Sequence, residues 1–296
     1  MKFNFSLLWG SMGPFQWLTS LFLVVAFQAH SQNIQAYTPT SSEVLTIHSK
    51  LLNEDRKVYV HCPKADSADR NKHYPVIYVM DGDNHFELLV QYVDYLSRPD
   101  VLAMPKTIVI GIPNTKRTRD LTPTNSILNY EGKPDSSSYT GSGGNEKFLQ
   151  FIENELIPMI DKNYKTTPYK IFAGHSFGGL SALNCLLTHP DLFDAYIAVS
   201  PSLWWDREYM LKMTDEKLKS GSALDKIFFY SDGNEGGPNS FFHKHLLKLD
   251  ATIAKKKLKG FNYLYKHYPT ETHMTEPVVA YYDALRFIFE DWEKRR

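Results

Sequence analysis

The 296-residue chain contains only two cysteines, Cys62 and Cys185. Two cysteines do not make the disulfide framework that holds small secreted domains together. Cys62 falls on a predicted strand and Cys185 inside a predicted helix, which suits two buried free thiols. Net charge is also missing: 33 Lys+Arg balance 33 Asp+Glu. That balance excludes a general electrostatic field for nucleic acid or an anionic membrane. The short basic run Lys255-Lys256-Lys257 sits on a helix flank and reads as a solvated face. No apolar run reaches the ~20 residues that a membrane span needs. There is no internal repeat, and no His/Cys/Asp cluster has the spacing of a metal site. Neither a metal nor a cofactor is expected. Hydrophobic residues at 43% and charged residues at 22% are ordinary for a globular protein and exclude a disordered chain.

The first thirty residues differ from the rest. Lys2 precedes an uncharged stretch and the apolar run Trp17–Phe27, after which Ala29-His30-Ser31 offers small residues at both positions read by a signal peptidase. Residues 1–31 are therefore expected to be a secretion signal, with Gln32 as the new terminus and a periplasmic or secreted product. No Cys follows the run, so a lipid anchor has no attachment point. Residues 32–296 are expected to form one domain.

Within that domain, Val44–Lys50 and Lys57–Cys62 read as two strands joined by the polar turn Asn53-Glu54-Asp55, an antiparallel hairpin at a sheet edge. Short apolar runs then alternate with helical periods. The runs are Pro75–Met80, Thr107–Ile112, Tyr169–Ala173, Ala195–Ser200, Lys226–Ser231 and Phe261–Lys266. The helical segments lie near 85–97, 145–161, 177–188, 206–219, 239–257 and 275–293. Runs apolar on both faces suit the inner strands of a parallel sheet covered by helices. The alternation predicts a doubly wound α/β fold. Only 114–144, rich in Thr, Ser, Asn, Gly and Pro, shows no period, and it is expected to be a long functional loop.

Gly174-His175-Ser176-Phe177-Gly178-Gly179 follows one such strand and opens a helix of small and apolar residues. This is the setting of a nucleophile elbow, in which a serine sits on a strained strand-to-helix turn with its hydroxyl exposed. Glycines at 174 and 178 avoid collisions where strand and helix cross, and the Phe177 N–H at the helix start suits a developing oxyanion. A serine hydroxyl needs a base, expected after the last strand. The loop 267–277 offers His273 as the candidate base and His267 as its competitor. The acid that orients the base is expected after the preceding strand, where Glu235 lies further along the loop and Asp232 is the alternative. The turn Asp81-Gly82-Asp83-Asn84 supplies a second oxyanion donor, with the N–H of Asp83 the candidate and Gly82 allowing close approach; Asp83 or Asn84 could equally cap a helix. Trp204 and Trp205, in Ser200-Pro201-Ser202-Leu203-Trp204-Trp205, follow another strand and could wall a substrate site. Arg117 and Arg119 could each hold an anionic substrate or pair with Asp120.

Taken together, these motifs resemble the Putative esterase (esterase D-like) family of α/β-hydrolases over roughly residues 40–293. The resemblance rests on Val76–Gly82, Ile110-Gly111-Ile112, Arg119–Pro123, Gly174–Gly179, Ser200–Trp205 and Glu271-Thr272-His273. Arg119 and the Trp pair look most like the siderophore (enterochelin-type) esterases. The resemblance implies an α/β-hydrolase fold, mostly parallel with an antiparallel N-terminal hairpin, and a serine esterase working through an acyl-enzyme. The implied substrate is a small-molecule or carbohydrate-linked ester, such as a siderophore trilactone or a feruloyl or acetyl ester. An acyltransferase using a sugar acceptor and a catalytically idle ligand-binding homologue are the alternatives.

Overall fold

Eight strands form one sheet in the order β1-β2-β4-β3-β5-β6-β7-β8. The computed structural model describes residues 42–63, 71–237, 240–290 and 292; the expected signal segment 1–31 lies outside them. Strands β1 (Ser42–Ser49) and β2 (Glu54–His61) make the antiparallel edge hairpin. β2 also pairs antiparallel with β4 (Ile108–Ile112). From there β3 (Tyr74–Met80), β5 (Thr166–His175), β6 (Ala195–Val199), β7 (Ile227–Gly233) and β8 (Asn262–Tyr268) run parallel. Parallel neighbours require crossovers, which the helices supply.

Alternate strand residues go to opposite layers. Val76, Tyr78 and Met80 of β3 pack into one core, Ile77 and Val79 into the other. The second core is covered by Phe86, Leu89, Val90 and Val93 of α1 (Gly82–Leu96) and by the C-terminal helix Glu276–Ile288. The first is covered by helices from the middle of the chain. In chain order these are α2 (Arg117–Leu121), α3 (Ser136–Tyr139), α4 (Asn145–Phe151), α5 (Ile157–Asn163), α6 (Phe177–Thr188), α7 (Trp205–Lys217) and α8 (Phe241–Lys256), and the C-terminal helix is α9. A π-helical turn, Ile152–Leu156, joins α4 to α5. It precedes Pro158, which has no N–H to donate back into the helix, and widening the turn accommodates that gap.

Two local features stand out. The stretch 114–144, expected as a long loop without period, carries the short helices α2 and α3 and is tied together by backbone turns and by bonds from side chains to backbone. Ser142 Oγ donates to Ser126 O at 2.9 Å, Gly143 N–H donates to Thr122 Oγ1 at 2.9 Å, and Asp135 caps α3 through Ser138 N–H. The second is the start of α7, expected to be an ordinary helix from 206. Asp206, Arg207 and Glu208 all have positive φ (44°, 56° and 62°), a left-handed turn that L-residues adopt at a cost of roughly 1–2 kcal/mol each. Cys62 and Cys185 are unpaired, and Cys185 is fully buried. Burial lifts both thiols, Cys62 to about 11.

Candidate active site

Strand β5 ends by turning sharply into α6 at Ser176, whose backbone is held at φ 60°, ψ −117°. Such a conformation costs on the order of 1–3 kcal/mol for a residue with a side chain and persists only where the surroundings enforce it. The enforcement is visible at Gly174. A Cβ there would fall 2.3 Å from the Gly178 carbonyl, so strand end and helix start touch backbone to backbone. Neighbouring strands fix the turn further. Ser176 N–H donates to Val199 O at 2.9 Å, and Ser202 N–H donates to Ser176 O at 3.2 Å. The Ser176 hydroxyl lies 3.3 Å from Ser202 Oγ. Phe177 is the first residue of α6, so its N–H has no acceptor within the helix and stands at the positive end of the helix dipole.

The residues expected to assist the serine come from the ends of two adjacent parallel strands. Asn234 N–H, just past β7, donates to Glu271 O at 2.5 Å, in the loop after β8. A side chain at Gly233 would put Cβ 2.6 Å from that same Glu271 oxygen. Glycine therefore lets the two loops meet, and they bring Glu235 Oε1 to 2.9 Å from His273 Nδ1. The carboxylate oxygen sits off the axis of the Nδ1–H bond, so the pair is close but not aligned. Glu235 Oε1 also accepts from Ser200 Oγ at 2.5 Å.

Sequence reasoning left two acids and two histidines open, and the structure sorts them into two pairs. Glu235 faces His273. Asp232, 1% exposed, accepts from His267 Nδ1 at 2.9 Å, His243 Nδ1 at 2.7 Å and Tyr265 Oη at 2.8 Å. Asp232, His243 and His267 are also the grouping of potential metal ligands among the described residues, with ligand atoms within 4.8 Å of one another. The sequence spacing held no sign of it, because three separate elements assemble it. Its nitrogen–oxygen contacts have hydrogen-bond lengths, and Tyr265 adds a third donor, so protein groups already satisfy the carboxylate.

Ser176, Phe177, Glu235 and His273 line one cavity of about 590 Å³. Its far wall is aromatic. Trp204 lies between Tyr139 and Tyr130, with ring centroids 6.1 and 6.3 Å away, and Phe242 continues the wall 5.9 Å beyond Tyr130. Tyr130 and Tyr139 come from the aperiodic 114–144 stretch, and no sequence pattern marked them. Arg117 also lines the cavity, its guanidinium 5.2 Å from the Phe177 ring centre.

Two expected substrate-site residues are used elsewhere. Trp205 is fully buried, with Nε1–H donating to Thr124 Oγ1 at 3.1 Å; the left-handed turn after it turns it into the core. Arg119 donates to Glu54 (Nη1 to Oε2 at 3.0 Å, Nη2 to Oε1 at 2.5 Å) and to Asp120 Oδ1 at 2.6 Å. Buried Arg56 completes this network with a 2.6 Å bond to Asp120 Oδ2. The guanidinium of Arg119, opposed by burial, holds the Glu54 carboxyl down at about 2. Arg119 thus ties α2 to β2, and Arg117 is the cation at the cavity. Gly82 and Asp83 open α1 outside the cavity wall, although Asp81 before them lies against the elbow: its Oδ2 is 3.3 Å from where a Gly178 Cβ would sit. Asp81 is gripped by Arg117, Nε to Oδ1 at 2.6 Å and Nη2 to Oδ2 at 3.0 Å.

The family described as Putative esterase matches residues 49–234, more than half of the chain. The chain belongs to that family. Among curated relatives, this esterase is 29% identical over 265 residues to the ferri-bacillibactin esterase BesA of Bacillus subtilis, covering 85% of this chain and 91% of BesA. It is 33% identical over 177 residues to the siderophore enterobactin esterase of Emericella nidulans, covering 54% and 56% of the two chains. Among solved structures, an IroE-like serine hydrolase from Shewanella oneidensis superposes with a TM-score of 0.80 at 34% identity, over 85% of this chain and 81% of that one. The esterase is a carboxylic ester hydrolase with the α/β-hydrolase strand order, and none of its described helices is long and apolar enough to cross a membrane.

Proposed function

We propose that the esterase hydrolyses a siderophore ester through an acyl-enzyme on Ser176. The observation that carries the reading is a strained serine opening into the same cavity as a histidine paired with a carboxylate. In this scheme the Ser176 hydroxyl swings from Ser202 toward His273 Nε2, which takes its proton as Oγ attacks the ester carbonyl. Glu235 holds the Nδ1–H tautomer and stabilises the imidazolium. The Phe177 N–H, at the start of α6 in the cavity wall, takes the oxyanion. His273 then returns the proton to the leaving alcohol, and water, deprotonated by the same imidazole, releases the acid.

The substrate class follows from the wall. Aromatic faces at Trp204, Tyr130, Tyr139 and Phe242 suit flat aromatic rings, and Arg117 suits the negative charge of catecholates. The siderophore esterases among its relatives support the same class.

Ser176→Ala tests the reading. Turnover of p-nitrophenyl acetate and of a catecholate trilactone should fall at least about 10⁴-fold, with melting unchanged, and an organophosphonate should label the parent protein at Ser176 alone. Undiminished turnover in that variant ends the proposal. Export belongs to the same reading: N-terminal sequencing of the protein from a secreting host should begin at Gln32.

A further inference from the structure

Directly behind Glu235 lies a second carboxyl group that the chemistry above does not use. Glu276, the first residue of α9, is 0% exposed. Its Oε2 is hydrogen-bonded to Ser200 Oγ, and Ser231 Oγ lies 2.5 Å from its Oε1. Ser200 is held at φ 38°, an unfavourable conformation that sets its hydroxyl between Glu276 Oε2 and Glu235 Oε1. Among the described residues, no Lys, Arg or His makes an ion pair with Glu276.

Counting protons decides the state of this chain. Three oxygen–oxygen contacts join Ser231, Glu276, Ser200 and Glu235, and two hydroxyls supply two protons. With both glutamates ionised, one contact would set lone pair against lone pair at hydrogen-bond distance. A third proton is needed, and it belongs on Glu276. Glu235 already faces the Nδ1–H of His273 and is partly exposed, whereas Glu276 is wholly buried without a cation.

We propose that Glu276 is a neutral carboxylic acid and a positioning residue, donating to Ser200 so that the Ser200 hydroxyl is committed to Glu235 and holds that carboxylate against His273. The inference rests on the Ser176–His273 reading for its catalytic consequence but not for the protonation state. Burial is the leading reason a proton stays on Glu276, raising it to about 8, with Glu235 and Asp232 adding to the rise and the two serines opposing it. The other titratable groups around it are Tyr265 and Tyr268 of β8 and Tyr281 of its own helix, all raised above the usual phenol range by burial. When Glu276 ionises, the single Ser200 proton is contested, Glu235 meets a like charge, and its hold on His273 loosens. Activity should therefore fall on the alkaline side near pH 8.

Glu276→Gln replaces the acid with an amide that donates to Ser200, accepts from Ser231 and does not titrate. Glu276→Leu keeps the volume and removes both bonds. The Leu variant is expected to lose about tenfold or more in kcat with KM within about threefold, and the Gln variant to recover most of that loss and to lack the alkaline decline. Ser200→Ala, which severs the same link elsewhere, should reproduce the Leu effect and serves if the Leu variant does not fold. Infrared difference spectra of the parent against Glu276→Gln at neutral pH should show a protonated-carboxyl stretch that vanishes above about pH 8. That band is read without any turnover, so it separates this inference from the Ser176 reading, for which Ser176→Ala is the control. Absence of the band, a Gln variant as impaired as the Leu variant, or an alkaline decline surviving in the Gln variant would overturn the proposal.

Discussion

The imidazole of His175 lies against that of His273, ring centroids 4.4 Å apart and planes tilted by 43°. His175 is the variable residue of the elbow and carries no reacting group, yet it backs the proposed base. Burial first, and then the neighbouring His273, push His175 from 6.5 down to about 2, so it stays neutral and does not compete for the proton of the mechanism. The unfolded chain binds a proton at this position below about 6.5 and the folded one does not. Stability from this site is therefore complete above 6.5 and is lost as pH falls toward 2, at up to about 1.4 kcal/mol per pH unit. Chemical denaturation of the parent and of His175→Gln between those limits should show a flatter acid slope in the variant.

The two acids at the end of β7 should separate cleanly by mutation. Glu235→Gln removes the charge that orients His273 and is expected to lower kcat by about 10²–10⁴-fold with little change in KM or melting temperature. Asp232→Asn keeps one acceptor oxygen but removes the charge and sets an amide N–H against one of the three donors that the carboxylate now satisfies. It should cost about 2–4 kcal/mol of stability while the protein that remains folded keeps its kcat. Urea melts alongside steady-state kinetics check both, and a reversal of the two outcomes would exchange the roles of the acids.

The adjacent tryptophans should behave as different kinds of residue. Trp204→Ala opens the cavity wall and is expected to raise KM about tenfold for a catecholate ester, with p-nitrophenyl acetate little affected. Trp205→Ala leaves a hole in the core and should cost about 3–5 kcal/mol with substrate preference retained. Comparing the KM ratio for the two substrates with the unfolding midpoint distinguishes them.

Gly233→Ala tests how the loops after β7 and β8 are joined. The new methyl would meet the Glu271 carbonyl at 2.6 Å and force apart the strand ends that carry Glu235 and His273. Activity should drop at least about tenfold with the sheet intact, as read by kinetics and far-ultraviolet circular dichroism.

The sheet was legible in the sequence because runs such as Pro75–Met80, apolar on both faces and falling within the observed strand Tyr74–Met80, have few alternatives to a covered parallel strand. The elbow was legible because the glycine at 174 is dictated by a local backbone contact. What was not legible depends on partners distant in the chain. Arg117 and Arg119 are two residues apart and look alike, yet Glu54, some sixty positions earlier, decides which one is withdrawn from the cavity. The wall residues Tyr130 and Tyr139 lie in a stretch held by turns, side-chain bonds and helices of four or five residues, too short to leave a periodicity to read. Glu276 reads as an ordinary acidic first-turn residue before Pro277, and only the fold reveals that it is enclosed. A carboxylate three positions after the candidate base, at the start of the closing helix, is the clue that was available.

The aromatic wall and the proposed reacting groups are contributed by separate stretches of chain. Ser176, Glu235 and His273 sit at the ends of strands or just beyond them, where the sheet dictates their spacing. Tyr130, Tyr139 and Arg117 hang on the aperiodic 114–144 excursion, anchored at its base by Gly144 N–H to Arg119 O and by Asn145 Nδ2–H to Asp120 O. Residues at the tip of that excursion can therefore be exchanged at little cost to the elbow, and descendants of this scaffold can drift from one acyl donor to another while the chemistry at the serine stays put.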